Sequence, residues 1–131
     1  MSRLEKVMLV EDDQDIQFIA KMILQKLGGY QVAVCASGKQ ALAEIPVFQP
    51  QLVLLDMMMP EMDGLTVLRH MRENPEFAAL PVVFMTAKAQ AHEIEDYKRQ
   101  GVLGVITKPF EPSLLKGQIE KIWNGFQQEL E

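Results

Sequence analysis

Four short apolar runs divide the chain: VMLV at 7–10, LVLL at 52–55, VVFM at 82–85 and VLGVI at 102–106. None alternates with polar residues, and each is bounded by turn-forming or charged positions. Such runs predict strands buried on both faces. A fifth run, YQVAVCA at 30–36, alternates in part, as an edge strand would. Between the runs the period becomes helical. Ile16, Ile19, Ala20, Ile23, Leu24 and Leu27 share one helical face, and Gly28-Gly29 ends that helix. Ser37 and Gln40 form a capping box for a second helix, ending near Pro46. Asp63 caps a third, from Gly64 to about Glu73, ahead of Asn74-Pro75. A fourth runs from about Gln90 to Gln100 and closes at Gly101. The last starts at Pro112, a residue suited to the first helical turn, and carries Leu115, Ile119, Ile122, Trp123 and Phe126 on one face. This alternation predicts an α/β fold: a parallel sheet with helices on both faces. No internal repeat, low-complexity segment or second domain interrupts it, so residues 1–131 are expected to form one domain.

Composition narrows the class. The 131 residues are 48 % apolar and 24 % charged, enough for one hydrophobic core without staples. The net charge of −5 argues against a broad nucleic-acid footprint. The N-terminal MSRLEKVMLVEDD has an apolar run of only four residues followed by three acids, so it is neither a signal peptide nor a membrane span. A cytoplasmic location follows as the expectation. The single cysteine, Cys35, has no internal disulfide partner and is expected to pack within its strand. Trp123 and Phe126 could serve the core or an interface.

The chemistry gathers where the strands end. Glu11, Asp12 and Asp13 follow the first run, Asp56 the third, Thr86 the fourth, and Thr107 and Lys108 the fifth. In open parallel sheets the carboxyl ends of the strands share one edge, where ligands bind. Each residue alone is an ordinary first polar residue of a loop. Together they place several carboxylates, a hydroxyl and an ammonium at one place. Clustered carboxylates repel unless a cation compensates, and an oxygen-only donor set with open positions suits Mg²⁺. No Cys/His set exists for zinc: His70 and His92 fall on expected helices at unrelated spacing. Met57 and Met59 read as packing residues, since nothing fixes the geometry a soft-metal site would need. A carboxylate beside Mg²⁺ and a lysine is also a nucleophile for phosphoryl groups.

At this point the chain resembles the response-regulator receiver domains of bacterial two-component signalling. VEDD, LLDMMMPEMDG, MTA and KPF occur in the family's order, each at a strand end. The resemblance covers essentially the whole length. It implies a flavodoxin-like three-layer sandwich, a five-stranded parallel sheet in the order 2-1-3-4-5 with five helices. It implies that Asp56 accepts the phosphoryl group and that Asp12 and Asp56 ligate Mg²⁺ (or Mn²⁺). Glu11 would hold the metal through water or as a further carboxylate, and the Met58 backbone carbonyl would be another ligand. Thr86, the Ala87 N–H and Lys108 would contact the phosphoryl group, with Thr86 as the switch hydroxyl. The Lys108-Pro109 bond is expected to be cis, a geometry X-Pro bonds tolerate. Asp13 reads as a cap of the first helix. The implied partners are a sensor histidine kinase or histidine phosphotransfer protein, and a downstream protein meeting the fourth helix, fifth strand and fifth helix. Lys88, His92, Glu95, Tyr97 and Lys98 are candidates for that surface. Neither nucleic acid nor membrane is an expected partner. Beyond accepting and hydrolysing its own phosphoryl group, the protein is not expected to be an enzyme. The methionine start and the completed last helix favour a stand-alone regulator.

Two positions depart from the family pattern. The switch position three before the lysine, usually aromatic, holds Val105, which has no ring to swing. Met58 stands two residues after Asp56, where it cannot orient a water well, so a persistent phosphoryl group is expected. Val105 is the one feature favouring an alternative, a phosphorylation-independent pseudo-receiver acting as a protein-binding adaptor. A haloacid-dehalogenase-like phosphatase would want an acid at Met58. A flavin module would want a Ser/Thr/Gly phosphate loop in place of EDDQD.

Overall fold

The computed structural model describes residues 3–130. Its strands are β1 (Lys6–Val10), β2 (Gln31–Cys35), β3 (Leu52–Asp56), β4 (Val82–Thr86) and β5 (Gly104–Thr107). Its helices are α1 (Gln14–Lys26), α2 (Gly38–Phe48), α3 (Gly64–Glu73), α4 (Ala91–Arg99) and α5 (Pro112–Leu130). The strands form one parallel sheet in the order β2-β1-β3-β4-β5, as expected. Alternate residues of each strand face opposite layers. Leu55 and Phe84 pack with Ile45, Val67, Met71 and Tyr97, the layer of α2, α3 and α4. Leu54 and Met85 pack with Ala20, Leu24, Leu115 and Ile119, the layer of α1 and α5. Trp123 is buried in that second layer, and Phe126 packs half-buried beside it.

Local chemistry sets most element ends. The Asp13 carboxylate accepts from the Asp15 and Ile16 N–H groups at 2.9 and 3.2 Å, starting α1. Asp63 does the same for α3 through Thr66 at 2.9 Å. Gly29 and Gly101 take φ of 71° and 103°, left-handed values that suit glycine after α1 and α4.

The structure corrects several details. Ile19 and Leu27 of the expected α1 face are 38 % and 59 % exposed, because only Ala20, Ile23 and Leu24 reach the sheet. Helix α2 does not stop at Pro46 but runs to Phe48. A proline so near the end costs only one ladder bond, and Gln49 at φ 56° then closes the helix on the Ile45 carbonyl. Ser37 accepts from the Gln40 N–H, but the Gln40 side chain reaches back to the Ala36 N–H, one residue before the cap. Val102 and Leu103 precede β5, whose edge position leaves Val105 half-buried and Thr107 exposed.

Candidate functional site

Register brings the site together. Val10 lies beside Leu55, Asp56 beside Met85, and Thr86 beside Thr107, so the residues that end β1, β3, β4 and β5 meet at one sheet edge. The Glu11 N–H continues the ladder by one step, donating to the Cys35 carbonyl at 2.9 Å. The chain then turns into α1 at Asp13, whose own N–H donates to Glu11 Oε2 at 3.1 Å. Asp13 is thus a cap, as its place in the sequence implied. Glu11 and Asp56 are almost fully buried and Asp12 is exposed.

Lys108 links two of these acids. Its Nζ lies 2.5 Å from Glu11 Oε1 and 3.0 Å from Asp56 Oδ1. The Lys108 N–H donates to the Thr86 carbonyl at 2.9 Å, and the Lys108-Pro109 bond is cis. The Met58 N–H donates to Asp56 Oδ1 at 3.2 Å. Thr86 is buried, and its Oγ1 accepts from the Lys88 N–H at 3.0 Å. Ala87 is exposed at the start of the loop to α4. The Met58 side chain is 62 % exposed, whereas Met57 and Met59 are buried, as packing residues should be.

One ammonium serves two buried carboxylates. Burial pushes the Glu11 carboxyl up to about 7, and the neighbouring Asp56 adds to this; Lys108 and the Asp13 N–H oppose it. Burial pulls the Lys108 ammonium down, but its hydrogen bonds to Glu11 and Asp56 outweigh that and hold its pKa above the ordinary value. The cluster therefore carries more negative charge than Lys108 neutralises. Glu11, Asp12 and Asp56 each offer an oxygen, all within 4.8 Å of one another. Hard oxygen donors, excess negative charge and one exposed member fit a Mg²⁺ site that keeps some of its waters.

Two supporting residues escaped the sequence reading. Gln17 Nε2 donates to the Glu11 carbonyl at 2.5 Å, a contact no motif announces. A Cβ on Gly64 would stand 2.8 Å from the Asp56 carbonyl oxygen, so only glycine lets α3 start this close behind β3. The Asp-Gly pair after Met62 was the available signal. Tyr97, expected on the surface, is instead buried, edge-on to Phe84 with ring centroids 5.4 Å apart. Lys88, His92, Glu95 and Lys98 are exposed, as is His70. Burial pushes the Cys35 thiol up to about 11, in keeping with a packed, unreactive cysteine.

This sheet, with an aspartate, an acid pair, a threonine and a lysine at the carboxyl ends of its strands, defines a class of signalling domain. Residues 7–120 match the family described as "Response regulator receiver domain". The chain belongs to the response-regulator receiver family. It is 34 % identical over 117 residues to sporulation initiation phosphotransferase F of Bacillus subtilis, covering 89 % of this chain and 92 % of that one. It is 33 % identical over 130 residues to a probable C4-dicarboxylate response regulator of Halalkalibacterium halodurans, covering 96 % of this chain. There it spans only 56 % of the relative's length. Among solved structures, the chemotaxis response regulator CheY4 of Vibrio cholerae superposes with a TM-score of 0.83 at 26 % identity, over 92 % of this chain and 99 % of that one. No helix among the described residues is long and apolar enough to cross a membrane.

Proposed function

We propose that this protein is a phospho-accepting response regulator whose Asp56 takes a phosphoryl group from a phosphohistidine. The donor is a sensor histidine kinase or a histidine phosphotransfer protein. The observation that carries this reading is the Lys108 ammonium held between Glu11 at 2.5 Å and Asp56 at 3.0 Å. An Asp56 carboxylate oxygen forms the new bond to phosphorus. The phosphorus–nitrogen bond breaks, its electron pair going to the donor imidazole, which takes up a proton. Lys108 shifts its hydrogen bonds from the carboxylates to the phosphoryl oxygens. The Thr86 hydroxyl turns from the Lys88 N–H toward the same oxygens, joined by the Ala87 N–H. Glu11, Asp12 and Asp56, with the Met58 carbonyl, would hold Mg²⁺ or Mn²⁺, which when bound neutralises charge on the transferring group.

The product adds about −1.5 to −2 charge at one point of the sheet edge. That charge biases an existing equilibrium of the loop after β4 and of α4, and so the α4–β5–α5 surface seen by a downstream protein. Exposed Lys88, His92, Glu95 and Lys98 belong to that surface. The exposed apolar side chains Phe18, Ile19 and Met22 lie on α1, whose first turn adjoins Asp12, and suit docking of the donor protein. The protein works in the cytoplasm as a self-modifying carrier, with no turnover of an external phosphoester.

Intact mass after incubation with acetyl phosphate tests the reading, with and without Mg²⁺, for the wild type and Asp56→Asn. A phosphoryl gain that needs both Mg²⁺ and Asp56 is expected. No gain from acetyl phosphate or from any phosphohistidine protein, with the fold intact, would overturn it and leave the adaptor alternative.

A further inference from the structure

The missing aromatic at Val105 and the unexpected burial of Tyr97 concern the same place. Val105 on β5 lies directly beside Phe84 on β4, and both belong to the layer under α4. An aromatic at 105 would stand next to Phe84 on the sheet. Here the ring next to Phe84 comes from the helix instead: Tyr97, at 5.4 Å between centroids and 82° between planes. Phe84 sits two residues before Thr86 on the same strand, so the two side chains leave the same face. Resting on the reading of Asp56 and Thr86 above, we propose that Tyr97 is the aromatic positioning residue that couples the state of Thr86 to α4, through its edge-to-face contact with Phe84.

The two ends of α4 are held differently. At the C-terminal end, the Arg72 guanidinium donates to the Gly101 carbonyl at 3.1 Å and to the Leu80 carbonyl at 2.8 Å, tying the turn after α4 to α3 and its following loop. The Gln100 N–H closes on the Tyr97 carbonyl at 3.0 Å. At the N-terminal end, the loop is held to the site by the Lys88 N–H on Thr86 Oγ1, while Gln90 bonds within its own helix start, to Glu93. When Thr86 turns to the phosphoryl group, that N-terminal hold is released and the Arg72 anchor stays. Helix α4 then pivots about its fixed end, and the Tyr97 ring must change its angle or depth against Phe84.

The chain has only two tyrosines, Tyr97 and Tyr30, and Tyr30 packs in the other layer. Incorporating 3-fluorotyrosine therefore gives two fluorine resonances, assigned with a Tyr30→Phe variant. The sample is phosphorylated with acetyl phosphate and Mg²⁺, and intact mass verifies the gain. The Tyr97 resonance is expected to shift or broaden while that of Tyr30 stays. Hydrogen exchange of residues 91–99 is expected to change on phosphorylation in the wild type and in Tyr97→Phe, which keeps the ring. It is expected to lose that change in Tyr97→Leu, although the mass gain persists. A Tyr97 resonance that does not move in a fully phosphorylated sample overturns the coupling. So does an exchange response retained in Tyr97→Leu, which would make the ring merely structural. Absence of any mass gain overturns the parent reading instead, and this one with it.

Discussion

The two edges of the sheet handle polar groups in opposite ways. At the amino edge, the Gln51 side chain clasps the incoming chain. Its Oε1 accepts from the Glu5 and Lys6 N–H groups at 2.6 and 2.9 Å, and its Nε2 donates to the Arg3 carbonyl at 3.0 Å. Lys6 Nζ donates to the Phe48 carbonyl and lies 4.6 Å from the centre of the Phe48 ring. Each of these backbone and side-chain groups has its partner, and no two like charges are brought together by them. At the carboxyl edge, two buried carboxylates share one ammonium. The first arrangement lowers the energy of the fold. The second keeps charge where burial opposes it, which is useful only if something else arrives to balance it.

The sharpest break in this comparison is Asp56→Asn. It removes the proposed nucleophile, so the phosphoryl mass gain is expected to vanish. It also leaves Lys108 and Glu11 as a balanced pair. The melting temperature without metal at pH 8 should therefore rise, although an ion pair has been deleted. A fall would mean that the Asp56–Lys108 contact stabilises more than the carboxylates repel.

The next largest effect is in pH. The Glu11 carboxyl has a folded pKa of about 7, raised from 4.5 chiefly by burial. Between those values the folded chain holds a proton that the unfolded chain releases. The stability that this one group contributes without metal is therefore full below about pH 4.5 and is lost as pH rises through 7. The linkage amounts to roughly 3 kcal/mol at most. Thermal melts from pH 5 to 8 should slope downward, and Glu11→Gln should flatten them. Mg²⁺ should raise the melting temperature most above pH 7, where it meets no competing proton. A flat wild-type profile would mean that the Glu11 carboxyl is not raised by its burial in the cluster.

Gln51→Ala carries the comparison to the other edge with a smaller effect. It strands the Glu5 and Lys6 N–H groups and should lower stability by about 1–2 kcal/mol. Phosphoryl gain should be unaffected, because the Gln51 contacts go to Arg3, Glu5 and Lys6 at the amino edge. A loss of phosphorylation without unfolding would show the two edges to be linked.

The carboxyl edge was legible in the sequence and the amino edge was not. Each apolar run stops at a chemical residue, so finding the strands also located Glu11, Asp56, Thr86 and Lys108. Strand order and register then had only to bring those ends together. The Gln51 clasp joins residues 45 to 48 apart and leaves no local pattern, so nothing marked it. Gln17 escaped for a related reason: a glutamine one turn into a helix looks solvated until its carbonyl partner is placed. Helix faces were legible only in part. Ile19 and Leu27 fit the period of α1 but lie beyond the width that the sheet covers. Tyr97 fell among polar neighbours on α4 and read as surface, until Phe84 proved to stand beneath it.

The methionine run shows how finely the pattern can be read, and it yields the smallest effect. Alternation along an extended segment turns Met57 and Met59 into the core and leaves Met58 62 % exposed, two residues after Asp56. Hydrolysis of an aspartyl phosphate needs a water in line behind phosphorus. A thioether is too weak a hydrogen-bonding group to hold that water. An asparagine amide has both a donor and an acceptor for it. Because the 58 side chain faces solvent, the exchange should leave stability within about 0.5 kcal/mol. Met58→Asn should therefore shorten the life of the phosphoryl group several-fold, by roughly 1 kcal/mol of barrier. Following the decay of the phosphorylated mass after acetyl phosphate is removed reads this directly. Equal decay in the two proteins would mean that water reaches phosphorus by a path the residue at 58 does not guard.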